Sequence, residues 1–205
     1  VSGQEMTVHL VKSGVTQEGK DYILSPTIVI PVGSTVGTVT LSAVSDLLDE
    51  ANETIVIDIN SVTNGIEANL PAGQTKSVTI VDDDPTPTVT LSVGNVTMDE
   101  GSGTTTVTVT LSAVSGRVVT VNLVKGGAAT DKLDYELSSI IILIPEEAPS
   151  ASVTLSIVDD AIDELNETVV IEIGGVGNGT EAGLPTWQKQ TVSITDNDLT
   201  PTVTL

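Results

Sequence analysis

At 205 residues the chain is long enough for one large domain or two of ordinary size, each able to bury its own core. Its 28 acidic against 7 basic side chains give a formal charge of -21, which repels phosphates and anionic lipid heads and excludes nucleic acid and direct membrane insertion. Cysteine is absent, excluding disulfides and thiolate metal sites, and no apolar run of about 18 residues marks a membrane span.

The predicted elements are strands. "TIVIDI" (54 to 59) turns Ile55, Ile57 and Ile59 to one face, the two-residue period of a half-buried strand. "VDDDPTPTVTL" (81 to 91) then runs one β-like segment into Asp82, Asp83 and Asp84 and, past two prolines, into another. In "TTTVTVTL" (104 to 111) Val107, Val109 and Leu111 alternate with threonines. Segments 118–124, 140–144, 152–158, 168–173 and 191–195 follow, separated by Gly, Pro, Asn and Asp turns. About seven strands in some 110 residues, with an aliphatic core lacking Phe, predict an all-β antiparallel sandwich of Ig-like type.

The pattern occurs twice. "SAVSDLLDEANETIVIDI" (42 to 59) aligns with "SIVDDAIDELNETVVIEI" (156 to 173), identical at 11 of 18 positions, and "DDD" (82 to 84) with "DND" (196 to 198). The expected organisation is a first repeat at 1–85 lacking its two N-terminal strands, a complete repeat at 86–199, and at 200–205, "TPTVTL", the first strand of a following repeat. The abrupt start at "VSGQEM" accordingly reads as a window cut from a longer array. An incomplete first sandwich either keeps an open edge or is completed by a neighbouring molecule's terminal strand.

In the second repeat Glu100, Asp134, Asp159, Asp160, Glu164, Glu167, Asp196 and Asp198 all fall in turns or at strand ends. Alternate turns of an antiparallel sandwich emerge at one pole, where eight carboxylates repel one another unless a cation neutralises them. Calcium takes six to eight oxygens in loose geometry, whereas magnesium keeps its waters and zinc prefers Cys or His, of which the chain has only His9. Ligand chemistry therefore favours Ca2+.

The "DY" after a strand, the "DDxxDExxNE" loop entering a strand and the closing "DDD" or "DND" resemble the Calx-beta domain over nearly the whole chain. That family is a β-sandwich of sodium/calcium exchangers, integrin β4 and large bacterial surface proteins, and some members bind several calcium ions at one pole. The resemblance implies that the second repeat uses the eight acids above together with Asn197. In the first repeat it implies Asp21, Asp46, Glu50, Glu53, Asp82, Asp83 and Asp84. There Ser45 stands in place of Asp159 and Glu100 has no counterpart, so fewer or weaker sites are expected.

No cysteine, one histidine without a repeat counterpart and no serine elbow speak against catalysis. Tyr22 and Tyr135 are expected to pack at the sandwich end, and His9, whose counterpart is Asn122, to be a solvated strand residue. The reading is a calcium-binding spacer or adhesion repeat of an extracellular or cell-surface protein, bacterial in type, meeting neighbouring repeats and a protein or glycan partner. Its rivals are a calcium-sensor domain regulating a cation exchanger, or a carbohydrate-binding module using Trp187.

Overall fold

A computed structural model of the chain describes residues 1–68, 74–183 and 188–205. Among them every regular element is a strand except one 3-10 turn, Glu100–Ser102, and no helix is long and apolar enough to cross a membrane. Two compact units form. The first comprises Val1–Leu47 and Ala51–Asp83, the second Leu48–Glu50 and Asp84–Leu205. Trp187 lies outside the described residues.

The second unit is a sandwich of two five-stranded sheets. One holds β7 (Thr88–Val93), β9 (Thr104–Leu111), β11 (Tyr135–Leu137), β13 (Ser150–Ile157) and β15 (Thr180–Glu181) in the order β11-β13-β9-β7-β15. The other holds β8 (Thr97–Asp99), β10 (Val119–Gly127), β12 (Ile141–Ile144), β14 (Glu167–Gly177) and β16 (Lys189–Thr195) in the order β12-β10-β14-β16-β8. Alternation sends Val107, Val109 and Leu111 of β9 inward to meet Val119, Val121, Ile171 and Val192, all buried. Each such side chain contributes about 1.5–3 kcal/mol of apolar burial, so branched aliphatics sustain the core without phenylalanine.

Residues 86–113 contain three strands rather than the two expected. The additional strand is β8: β7 pairs with β9 in one sheet, and β8 crosses to pair parallel with β16 in the other. The break falls at Gly94 and Asn95. A Cβ on Gly94 would lie 2.9 Å from Thr105 Oγ1, which accepts the Asn95 N–H at 2.9 Å, so a larger residue would disturb the crossover. Sequence alternation alone does not reveal that a strand changes sheets.

The first unit repeats part of this plan. β1 (Met6–Gly14), β3 (Thr27–Ile30), β5 (Glu53–Thr63) and β6 (Lys76–Ile80) form a four-stranded sheet ordered β3-β1-β5-β6, matching β12-β10-β14-β16. β2 (Tyr22–Leu24) and β4 (Leu41–Ala43) form the second sheet alone. Among the described residues nothing takes the places of β7, β8 and β9. Among the described residues, only Tyr22, Leu24 and Ile55 are fully buried in this core.

Local devices recur at matching positions. The β1/β5 ladder slips at His9/Leu10, and the β10/β14 ladder slips at Asn122/Leu123. Gly14 and Gly127 end β1 and β10 with φ of 122° and 108°, where a Cβ would lie 2.1 Å from Thr54 O and 2.0 Å from Thr168 O. Only glycine meets both demands. Tyr22 and Tyr135 are buried, as expected of packing residues, and His9 is half-buried with Nε2 3.4 Å from Thr63 Oγ1.

Candidate metal centre

Five segments of the second unit carry acids to one end of the sandwich, and backbone bonds fix each in place. Asp134 closes the turn before β11: its N–H donates to Thr130 O at 3.0 Å and its carboxylate accepts the Thr130 N–H. Its carbonyl accepts the Val158 N–H at 3.0 Å, which holds it beside the end of β13, where Asp159 and Asp160 follow. Burial of Tyr135 anchors the same turn from within.

β14 begins at Glu167, opposite Ile194 of β16, so Glu167 and Asp196 leave neighbouring strands together. Asn166 Oδ1 accepts the Asp196 N–H at 3.3 Å. β8 runs parallel to β16 with Asp99 beside Thr195, and the Thr195 hydroxyl donates to the Asp99 carboxylate. The next residue, Glu100, is thereby delivered to the cluster on the 3-10 turn. The Asp160 side chain accepts the Ile162 N–H at 2.8 Å, and Asn197 Nδ2 donates to Asp159 Oδ1 at 3.2 Å.

Glu100, Asp160 and Asp198 each present an oxygen within 4.8 Å of the others. Glu100 is only 5% exposed, and its Oε2, together with Asp196 Oδ1 and Asp198 Oδ2, is buried without a hydrogen-bond donor. Buried carboxylate oxygens without partners are costly. Burial, followed by the fields of Asp196, Asp160, Asp198 and Glu164, pushes the Glu100 carboxyl above its usual range. Asp198 rises through lost solvent and then Asp196, Asp160, Asp159 and Asp163. Glu164 rises through desolvation and then through the fields of Asp134 and Asp160. Glu167 rises through burial and a side-chain hydrogen bond with Asp134.

These oxygens fit a hard cation. All are carboxylates, they come from separate loops, and the three unpartnered ones lack the donor that a divalent ion would replace. Glu100, Asp160 and Asp198 would form the centre of such a site, with Asp196, Asp134, Glu164, Glu167, Asp159 and Asn197 around it.

The first unit reproduces the scaffold with fewer acids converging. The Asp21 N–H donates to Gln17 O at 2.9 Å, its carboxylate accepts the Gln17 N–H, and its carbonyl accepts the Val44 N–H at 2.9 Å. Asn52 Oδ1 accepts the Asp82 N–H at 3.0 Å, as Asn166 does for Asp196. Glu53 opens β5 opposite Ile80. Among the described residues, however, Asp21, Asp46, Glu50, Glu53, Asp82, Asp83 and Asp84 form no group comparable to Glu100, Asp160 and Asp198. Glu50 instead belongs to the second unit, where a Cβ on Gly116 would lie 2.6 Å from its Cγ.

Several residues were not singled out from the sequence. Asp163 lies inside the quoted "DDAIDELNE" loop and adds to the field on Asp198. Asn52 and Asn166 tether the "DDD" and "DND" segments through their side-chain oxygens. Asp49 is buried in the second unit, where Arg117 Nε donates to it at 3.1 Å and Ser115 Oγ at 3.2 Å, while Arg117 Nη2 completes a bidentate pair. The only signal for that pair was the scarcity of cations in the chain.

Fold and site together define a protein of tandem β-sandwiches, one of them with an acidic pole. The Calx-beta domain model matches residues 3–84 and again 82–198, and the chain belongs to the Calx-beta family. No curated protein sequence matches it. Among solved structures, the apo-form Calx CBD1 domain is 20% identical at a TM-score of 0.46, over 54% of this chain and 99% of that one. The CBD12 structure from CALX1.2 is 15% identical at a TM-score of 0.44, over 94% of this chain and 88% of that one. The calcium binding domain CBD12 of CALX1.1 is 17% identical at a TM-score of 0.36, over 85% and 69% of the two chains.

Proposed function

We propose that the chain is a non-enzymatic calcium-binding module whose strongest site is the acidic pole of the second unit. The observation that carries this reading is the set of buried, donor-free oxygens on Glu100, Asp196 and Asp198 beside the convergent Asp160. A cation supplies what those oxygens lack and relieves the repulsion among their neighbours. The repeats are assigned to residues 1–85 and 86–199, with the first binding calcium more weakly because Ser45 stands in place of Asp159.

Within that reading the chain acts as a spacer or adhesion repeat of an extracellular surface protein, where millimolar calcium saturates modest sites. Pro85 and Pro87 limit backbone freedom directly after Asp84, so calcium held by Asp82 to Asp84 stiffens the junction. Isothermal titration of calcium into chelator-treated protein tests the binding; absence of heat rejects it. A dissociation constant below about 10⁻⁶ M would replace the spacer with a sensor role. An unchanged maximum dimension in small-angle scattering, with and without calcium, would refute stiffening.

A further inference from the structure

The chain has 7 basic side chains, and a single position carries a base in both repeats. "NLVKGGAATDKLDY" (122 to 135) aligns with "HLVKSGVTQEGKDY" (9 to 22), so Lys125 corresponds to Lys12 and Asp131 to Glu18. The counterparts of the remaining bases are Gln, Leu, Gly or Thr.

The structure puts both lysines to the same use. Alternation along β10 sends Leu123 into the core and Lys125 to the margin of the same face. There Lys125 Nζ lies 2.5 Å from an Asp131 carboxylate oxygen and 5.9 Å from the centre of the buried Tyr135 ring. Lys12, at the matching place on β1, pairs with Glu18 and donates to Leu24 O at 3.2 Å. In each case the stem covers apolar surface and the ammonium reaches out to an acid.

Asp131 stands in the turn that carries Asp134. The Leu133 and Asp134 N–H groups donate to Thr130 O at 3.2 and 3.0 Å, and the Lys132 N–H donates to Tyr135 O at 2.6 Å. These bonds make residues 130–135 one unit, but they do not tie it to β10. The pole works against such a tie: Asp134 faces Glu164 and Glu167, and the second Asp131 oxygen, Oδ1, is buried without a donor. Like charges this close push the turn outward unless a cation holds it.

We propose that Lys125 is a positioning residue for calcium: its ion pair with Asp131 anchors the turn to β10 and so holds Asp134 at the acidic pole. The inference rests on the calcium reading of that pole. Lys12 and Glu18 do the same for Asp21 in the first unit. A lysine has donors and no acceptor, so Lys125 cannot itself hold the ion. By its field alone it opposes binding, because a cationic group beside a cation site repels the incoming charge. Positioning and field therefore give opposite signs when the lysine is removed.

Isothermal titration of calcium into the chelator-treated 205-residue chain compares wild type with Lys125→Met, which keeps an apolar stem and removes the charge. The tightest binding step is expected to weaken by about tenfold, the low end for loss of a group that orients a metal ligand. Lys125→Arg can still pair with Asp131 and should keep near-wild-type affinity. Lys125→Met combined with Asp131→Asn removes the pair without changing net charge or stranding a carboxylate. It should weaken binding to a similar extent, and it carries the test even where Lys125→Met alone fails to fold.

Tighter binding in these variants would show that the field of Lys125 outweighs any positioning, and would overturn the proposal. Unchanged affinity with a lower melting temperature in chelator would overturn it equally, since a pair that only stabilises the turn moves the melt and not the dissociation constant. A wild-type chain that takes up no calcium fails earlier, at the pole itself, and removes the calcium reading together with the inference built on it.

Discussion

Glu100→Gln is expected to change stability in opposite directions with and without calcium. In chelator the wild-type carboxylate is 5% exposed, has one oxygen without a donor and faces Asp196, Asp160, Asp198 and Glu164. A buried polar group left unsatisfied costs about 1–3 kcal/mol, and more when charged. The amide removes the charge but not the need for partners, so the expected gain is about 1–2 kcal/mol at neutral pH. For a chain of this size that corresponds to a rise in melting temperature of roughly 2–8 °C. In saturating calcium the order reverses, because the variant has lost a charged ligand. At a hundredfold excess over the dissociation constant, ligand binding adds about 2.7 kcal/mol to the wild type and less to a variant that binds more weakly. Differential scanning calorimetry of both proteins in both conditions measures the crossing. A variant less stable than wild type in chelator, or equal to it in calcium, would refute the reasoning.

Other expectations follow from the same groups. The carboxyls of Glu100, Glu164, Glu167 and Asp198 are raised from ordinary values of 4.5 for Glu and 3.8 for Asp. A raised carboxylate contributes stability fully present below its ordinary value and lost as pH rises through the raised one. In chelator, therefore, the advantage of Glu100→Gln should be large at pH 7 and shrink toward zero on acidification, while calcium affinity of the wild type falls over the same range; a pH series of melts and titrations checks both. Gly127→Ala puts a Cβ 2.0 Å from Thr168 O at a φ of 108°, and urea unfolding should show a loss of about 1–3 kcal/mol or more. Arg117→Ala leaves the Asp49 carboxylate buried without its cation; the loss should be about 3 kcal/mol, at the low end for buried pairs because Arg117 keeps 30% side-chain exposure. Restoration by a second change, Asp49→Asn, would show that the stranded charge causes it.

The sandwich was legible because its strands alternate with a strict two-residue period and its turns carry Gly, Asn, Asp and Pro. Val107, Val109 and Leu111 advertise a buried face, and the structure buries all three. The acids were legible as a set because they recur in two repeats at strand ends. Which of them meet was not. Convergence of Glu100 with Asp160 and Asp198 depends on β8 leaving its first sheet and pairing parallel with β16, a long-range event set by Gly94 and Thr105. Asp49 was equally hidden: its counterpart Asp163 is exposed in the same loop, and only three-dimensional packing against Ser115 and Arg117 distinguishes them.

The most direct test of the calcium centre is a crystal of the chain grown in calcium, with anomalous diffraction measured from the bound ion. The account requires a peak coordinated by the carboxylates of Glu100, Asp160 and Asp198 at about 2.3–2.6 Å. A map with no peak among these side chains, at calcium concentrations that saturate extracellular modules, would contradict it and leave the acids as structural turns.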